Sequence, residues 1–354
     1  MATNPVHPEF KATIRASKDS LLLGPNLWNF YNDSKACSLE SSYSQTVTLT
    51  TCSDEEYTCD DGNCVDMEKI CDGKTECQDG SDENTCFMMV YPLGFHKSLT
   101  PPPEDGERNL VINVSVTIHN ILDIDEVDGE FVTKITIQRD WFDSRLTYRN
   151  VKEDFLLNVL YPETRAALWR PTAVFHNIAS EEKYKKSDLA ELWSVQFDMN
   201  NKFSYTRDSS QTNNVLMFKG SEHKQVLKTQ YTVEFMCDFD MRWYPFDTQV
   251  CGMDLYSSSA FSVFNPKSVN FSGPKVLAQY FVKSFKLCSK ILEDQKGISV
   301  VIVLGRPLLS NILTIFIPTA ILILISHVSK VFEEDHLEMV VMVSLTVILV
   351  QAQL

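Results

Sequence analysis

From residue 109 onward apolar and polar positions alternate. In "LVINVSVTI", Leu110, Ile112, Val114, Val116 and Ile118 share one side, and Val111, Asn113, Ser115 and Thr117 share the other. A period of two sends successive side chains to opposite faces of a strand, so one face is expected to be buried. "EFVTKITIQRDW" repeats the pattern, and further strands are predicted over 191–199, 202–206, 214–218, 226–238, 248–256, 276–287 and 297–304. Turn-rich segments such as "DSSQTNN" separate several of them, while "VKEDFLLNVL" reads as a short helix or a loop. Many short strands and few helical signals predict an antiparallel β-sandwich over 109–306.

At 307 the period is lost. "PLLSNILTIFIPTAILILISHV" is 22 residues with one ionisable group, His327. At 1.5 Å per residue it is long enough for a hydrocarbon core of roughly 30 Å, so 307–328 is expected to be a transmembrane helix. Pro318 is compatible with that, because neighbouring helices can satisfy the freed carbonyl. A second apolar helix is expected to begin over 335–354. The expected fold class is therefore a mainly β extracellular region followed by α-helical transmembrane segments. Upstream, residues 1–51 read as the end of an extracellular domain or a disordered leader. Residues 87–108, with "LTPPPEDGE", read as a Pro-rich linker.

Charge and cysteine narrow the class. The net charge is −15, and residues 52–86 hold twelve Asp/Glu against two Lys. An acidic chain is a poor ligand for nucleic acid, which is bound mainly through Lys and Arg. The acidic block points to divalent cations or a basic protein partner. Six of the ten cysteines lie in the same block, which indicates an oxidising, extracellular setting. Sequons at Asn32, Asn113 and Asn270 agree with it. The first twenty residues have no apolar core, so no signal peptide is visible and further sequence upstream is expected.

Six cysteines allow fifteen pairings, and spacing does not choose among them. Asp72, Glu76, Asp82 and Glu83 cluster around the last three. Hard cations such as Ca²⁺ take six to eight oxygens, and so small a module needs disulfides and an ion in place of a large core. "CDGKTECQDGSDE" closely resembles an LDL-receptor class A repeat. The resemblance implies the disulfides Cys52–Cys64, Cys59–Cys77 and Cys71–Cys86. It also implies Ca²⁺ held by Asp72, Glu76, Asp82 and Glu83 with the backbone oxygens of Lys69 and Lys74. Glu76 stands where Asp is usual, and Lys69 where many ligand-binding repeats carry an aromatic. The module reads as a dock for a basic partner or as a structural spacer.

A second cysteine pair, Cys237 and Cys251, encloses thirteen residues between two predicted strands. Closing so short a loop is worth on the order of 3 kcal/mol, so holding its shape is the stronger reason for a bond. Trp243, Tyr244 and Phe246 form an apolar knob around Pro245, whose peptide bond is open to the cis form. Because apolar helices follow, the knob is expected to meet the membrane domain. This segment, with Pro245, Phe246 and Asp247, resembles the signature of the Cys-loop (pentameric ligand-gated) ion channel superfamily. "WFDSRL" with Trp141, Asp143 and Leu146 matches in order, as do "LWRPTAVFHN", "GRPLLSNILTIFIPTAIL" and "VSLTVILV".

The resemblance implies a non-enzymatic channel subunit in the plasma membrane, with its N-terminal region extracellular. It implies a homo- or hetero-pentamer in the lipid bilayer, with a small-molecule or ion ligand bound between subunits. The positions carried over for the ligand are Thr136, Gln138, His176, Asn177, Ser258, Phe261 and Phe285. They are poor in the aromatics that hold a quaternary ammonium by cation–π attraction; amino acids, amines, protons and metal ions stay open. His336, Val340, Val343 and Val347 recur at helical spacing and are implied to line the pore. Glu333, Glu334 and Asp335 at the cytoplasmic mouth favour cations. The alternative is a non-conducting surface or decoy receptor, since later membrane helices of the superfamily are not seen in 1–354. No nucleophile motif supports a hydrolase.

Overall fold

The computed structural model describes residues 2–3, 10–14, 22–32, 42–53, 55–84, 86–179, 185–186, 191–198, 205–207, 216–292 and 295–329, with positions 338, 341, 342, 344 and 345. The strands in chain order begin with β1 (Ala2–Thr3), β2 (Phe10–Thr13), β3 (Gly24–Asn32), β4 (Ser42–Leu49), β5 (Glu56–Thr58), β6 (Cys64–Asp66) and β7 (Met89–Val90). There follow β8 (Leu110–Asp125), β9 (Glu130–Trp141), β10 (Thr147–Arg149), β11 (Ala173–Phe175), β12 (Lys185–Lys186), β13 (Leu192–Val195) and β14 (Tyr205–Arg207). The last are β15 (Leu216–Lys219), β16 (Gln225–Met236), β17 (Thr248–Ser257), β18 (Ser262–Phe271), β19 (Phe281–Leu292) and β20 (Gln295–Gly305).

The chain divides into two compact units. The first comprises 1–112, 139–171 and 191–228. Here β1 to β4 form an antiparallel sheet in sequence order, with Gly24 opposite Leu49 and Tyr31 opposite Ser42. Much of the expected leader is thus strand. A second sheet runs β14-β15-β10-β7. The expected linker 87–108 is corrected by it: Met89 pairs with Tyr148 and Val90 with Thr147, so the sheet begins before the prolines. Arg145 then donates to the carbonyl of Leu99 at 2.8 Å, holding the Pro-rich stretch to the same unit. Trp141, Trp169 and Trp193 form the aromatic centre, with ring centroids 6.1 and 5.7 Å from Trp141. Trp193 donates to the Gln225 carbonyl, and the Gln225 amide donates to Tyr148, so buried polar atoms find partners. Gly220 passes against the carbonyls of Asp143 and Leu146, where a Cβ has no room.

The second unit comprises 113–138, 172–190 and 229–354. One antiparallel sheet runs β11-β17-β20-β19. Another runs β12-β16-β9-β8-β18, and β13 joins through the part of β16 that lies in the first unit. The alternation of β8 and β9 is realised residue by residue: Val114, Val116, Ile118, Ile135 and Ile137 are buried, and their neighbours are half-buried. Burying each such side chain contributes about 1.5–3 kcal/mol. Phe131, Phe175, Tyr231 and Phe235 meet at the centre, with neighbouring ring centroids 5.4–5.6 Å apart, Phe131 stacked on Phe235 and Phe175 edge-on to Tyr231 and Phe235.

After Gly305 the helical run is α3 (Leu308–Asn311), a π-helical turn (Ile312–Phe316) and α4 (Ile317–Ser329). The single span expected over 307–328 is interrupted. Pro318 has no N–H to donate to the preceding turn, and the widened turn lies just before it. No helix among the described residues is long and apolar enough to cross a membrane. Glu333, His336, Val340, Val343 and Val347 lie outside the described residues.

Candidate functional site

Four groups of residues were expected to carry function, and three fall on described residues. In the acidic module, Cys52–Cys64, Cys59–Cys77 and Cys71–Cys86 are disulfide-bonded. They enclose a small core of Tyr57, Val65, Met67 and Ile70. Glu83 Oε1 accepts the amides of Asp72 and Gly73 at 2.8 and 3.2 Å, and Asp82 Oδ2 accepts those of Glu76 and Cys77 at 2.7 and 3.2 Å. The other oxygen of Asp82 is buried and has no hydrogen-bond partner. A desolvated acceptor without a donor is costly, and a divalent cation is the partner that its chemistry fits. Among the described residues the side chains gathered closely enough to hold a metal are Cys59, Cys77 and Asp79, but those two sulfurs bond each other and are no thiolates. Of the four expected carboxylates, Asp82 thus contributes a desolvated oxygen, while Asp72, Asp82 and Glu83 each accept at least one backbone amide.

The Cys237–Cys251 bond closes the expected loop, with Cα atoms 5.2 Å apart and a cis Tyr244–Pro245 peptide. Trp243 and Phe246 are exposed, at 76% and 66%, as a knob requires. Asp247 is not part of that knob. It is buried, and both its oxygens accept from Arg306 Nε at 2.9 Å. Arg306 Nη2 donates to Tyr280 at 2.6 Å and pairs with Glu126 at 2.8 Å. Its guanidinium also lies over the rings of Tyr280 and Tyr244, 4.5 and 4.8 Å from their centroids. Burial first, and then the Glu126 carboxylate, pushes the Tyr280 phenol upward. Arg306, Glu126 and Tyr280 were not foreseen; the only sequence signal was an arginine just before an apolar run.

The expected ligand residues scatter within the second unit. His176 follows β11, its ring 6.5 Å from that of Tyr256 on β17. Asn177 cross-links strands. Its amide donates to the carbonyls of Gly252 and Met236, and its oxygen accepts the amide of Asp254, which leaves it committed to strands. Thr136 shares a 2.7 Å hydrogen bond with His119, and Gln138 is half-buried on β9. Ser258 and Phe261 are exposed around the turn before β18. Phe285 was expected in a loop tip. It lies instead within β19, opposite Ile302, and stacks on Phe271 at 5.9 Å. A pair that sequence reasoning missed lies beside His176: Lys290 on β19 reaches Asp254 on β17 at 2.6 Å, while the second Asp254 oxygen is buried without a partner. Cys288 is free and exposed, and Cys37 lies outside the described residues.

Of the sequons, Asn270 is exposed on β18 and Asn32 ends β3. The side-chain oxygen of Asn113 accepts a hydrogen bond from Asn265 at 2.8 Å within the sheet.

Comparison with known proteins gives two family matches. Residues 89–262 match the neurotransmitter-gated ion-channel ligand binding domain, and residues 50–86 match the low-density lipoprotein receptor domain class A. The chain is 26% identical over 161 residues to neuronal acetylcholine receptor subunit alpha-9-I of Oncorhynchus mykiss, covering 45% of this chain and 23% of that protein. It is 21% identical over 273 residues to the serotonin-gated chloride channel mod-1 of Caenorhabditis elegans, covering 75% of this chain and 50% of that protein. Low-density lipoprotein receptor-related protein 11 of Homo sapiens is 48% identical over 48 residues, 14% of this chain and 10% of that protein. The chain therefore spans half the length, or less, of these relatives.

Proposed function

Because residues 89–262 match the neurotransmitter-gated ion-channel ligand binding domain and residues 50–86 a low-density lipoprotein receptor class A domain, we propose that this chain is a subunit of a ligand-gated channel. The family is one of channels, not of enzymes. Subunits assemble as a homo- or hetero-pentamer in the plasma membrane, with this extracellular region binding a ligand between neighbours. Ligand binding then opens a pore across the bilayer.

The observation that carries this reading is the grip on Arg306. β20 pairs along its length with β17 and β19, so a movement of the β19–β20 hairpin is carried to Gly305. The next residue is Arg306, and its buried guanidinium is held by Asp247 of the disulfide loop. The apolar helical run starts at Leu308. A rigid strand, a buried ion pair and a helix in series form a mechanical link from ligand-binding region to pore.

The ligand is a small charged molecule, an amine or amino acid able to pair with Asp254 or Lys290 beside His176 and Tyr256. The absence of aromatics at Thr136, Gln138 and Ser258 speaks against a quaternary ammonium. The acids Glu333, Glu334 and Asp335 favour cations over anions at the pore mouth. In the acidic module Asp72, Glu76, Asp82 and Glu83, with the backbone oxygens of Lys69 and Lys74, would hold Ca²⁺, which supplies a cross-link among loops that lack a large core. The sequons at Asn32, Asn113 and Asn270 would carry glycans.

The test is current recorded from cells expressing the native full-length transcript, challenged with acetylcholine, serotonin, other amines, amino acids, protons and divalent ions. A current whose reversal potential follows sodium supports the reading. Surface expression with saturable ligand binding but no current would replace it with a non-conducting receptor.

A further inference from the structure

We infer that Lys152 occupies, within its own chain, the acidic face of the module around Glu68 and Asp72, so that the module clasps its own ligand-binding domain rather than a separate basic partner. All the residues involved belong to the first unit.

Lys152 is presented rather than merely exposed. Asn158, fully buried, accepts the Lys152 amide at 2.8 Å and donates to the Lys152 carbonyl at 2.7 Å. Both backbone polar groups are thus held by one side chain, which fixes the direction in which the lysine leaves the chain. Its ammonium donates to the carbonyl of Glu68 at 2.6 Å and approaches that of Met67 at 3.5 Å. Both belong to the module. Lys152 lines a cavity of about 760 Å³ and is the sole basic residue among the described residues lining it. Glu55, Asp66, Glu68, Asp72, Glu153 and Asp154 line the same cavity. Burial lowers the affinity of the amine for its proton, and the charges of Asp72, Glu68 and Glu83 oppose that. A half-buried ammonium is tolerated only when such acceptors and charges compensate it. Leu216 of the same unit also packs against the core of the module.

A tethered lysine acts at an effective concentration in the millimolar range, well above that of a dilute external peptide. The face is therefore occupied before a partner arrives. The inference is independent of conduction, since it concerns only this contact.

The experiment uses the full chain in detergent micelles and a fluorescein-labelled octalysine peptide, read by anisotropy at low salt. Lys152→Met is expected to bind the peptide about tenfold more tightly than the wild type, because the tethered competitor is gone. Lys152→Arg should remain like the wild type. Lys219→Met, which removes the same charge from an exposed strand position, should show no comparable gain. Hydrogen exchange at amides 67–72 should quicken in Lys152→Met alone. Equal peptide binding by wild type and Lys152→Met would overturn the inference, as would an equal gain in Lys219→Met. Protection at 110–118 reports whether the variant is folded, and Lys152→Gln serves as the same test where the methionine variant is not.

Discussion

Arg306 shows what a single side chain does when water is removed from around it. Its side chain and that of Asp247 are only 4% and 2% exposed, and Asp247, together with Glu126 and Tyr280, compensates the guanidinium for lost hydration. Removing one partner of such a pair leaves an uncompensated buried charge and costs about 3–5 kcal/mol. Arg306→Ala and Asp247→Asn are each expected to lower stability by that order, and the double variant by much less than their sum. Denaturant titration of the four proteins measures the coupling; additive losses would mean that the two side chains act separately. His223 gives a second residue-scale expectation. It is fully buried between Phe197 and Phe218, and burial holds its imidazole below the ordinary histidine range. The unfolded chain therefore binds the proton more readily, and stability is full above roughly pH 6.5 and falls as pH drops below it. The slope approaches 1.4 kcal/mol per pH unit at most. Denaturant midpoints at pH 7.5 and 5 should separate for the wild type and draw together for His223→Phe.

At the scale of elements, the hairpin of β19 and β20 is tied to β17 by Lys290 and Asp254. Lys290 is half exposed, so solvent screens the pair and it contributes less than the Arg306 site. Its value lies in position, since it places opposite charges across β20 beside His176, whose amide donates to the Asp254 carbonyl. Lys290→Ala is expected to raise the ligand concentration for half-maximal response by about tenfold, the equivalent of 1.4 kcal/mol. Lys290→Arg should lie close to the wild type. An unchanged concentration–response curve for Lys290→Ala would remove the pair from the ligand site. Elements also show where pattern reading stops. β8 and β9 were legible because every second residue is buried along most of their length. β18 was not, although it has ten residues. Its alternation fails after Asn265, where Pro266 and Lys267 enter, and an outermost strand in its sheet tolerates both because one edge needs no ladder partner. β7 has two residues, too few to display any period.

For the whole molecule, the cysteine module and the β-sheet region depend on different forces. The module has few apolar side chains and three disulfides, whereas the second unit buries a continuous aromatic and aliphatic core. Calcium chelation is therefore expected to loosen 52–86 while leaving 230–305 intact. Hydrogen exchange on the full chain with and without chelator measures this. Unchanged protection over 52–86 would show that no ion supports the module.

The sequence by itself determined what local periodicity and covalent chemistry encode. The alternating strands, the apolar run after 307, the acidic cysteine block and the thirteen-residue loop were all readable, because each is a pattern within a short stretch. Only the tertiary structure decided which polar residues lose their water. Asp247 and Arg306 are 59 positions apart, and Asp254 and Lys290 are 36 apart. Asn177 looked like a ligand residue and is consumed by strands 59 and 75 positions away. Lys152, in a stretch that read as a short helix or a loop, reaches Glu68, 84 positions back. Burial and pairing of a polar group depend on the elements that converge on it, and no local window of sequence contains them.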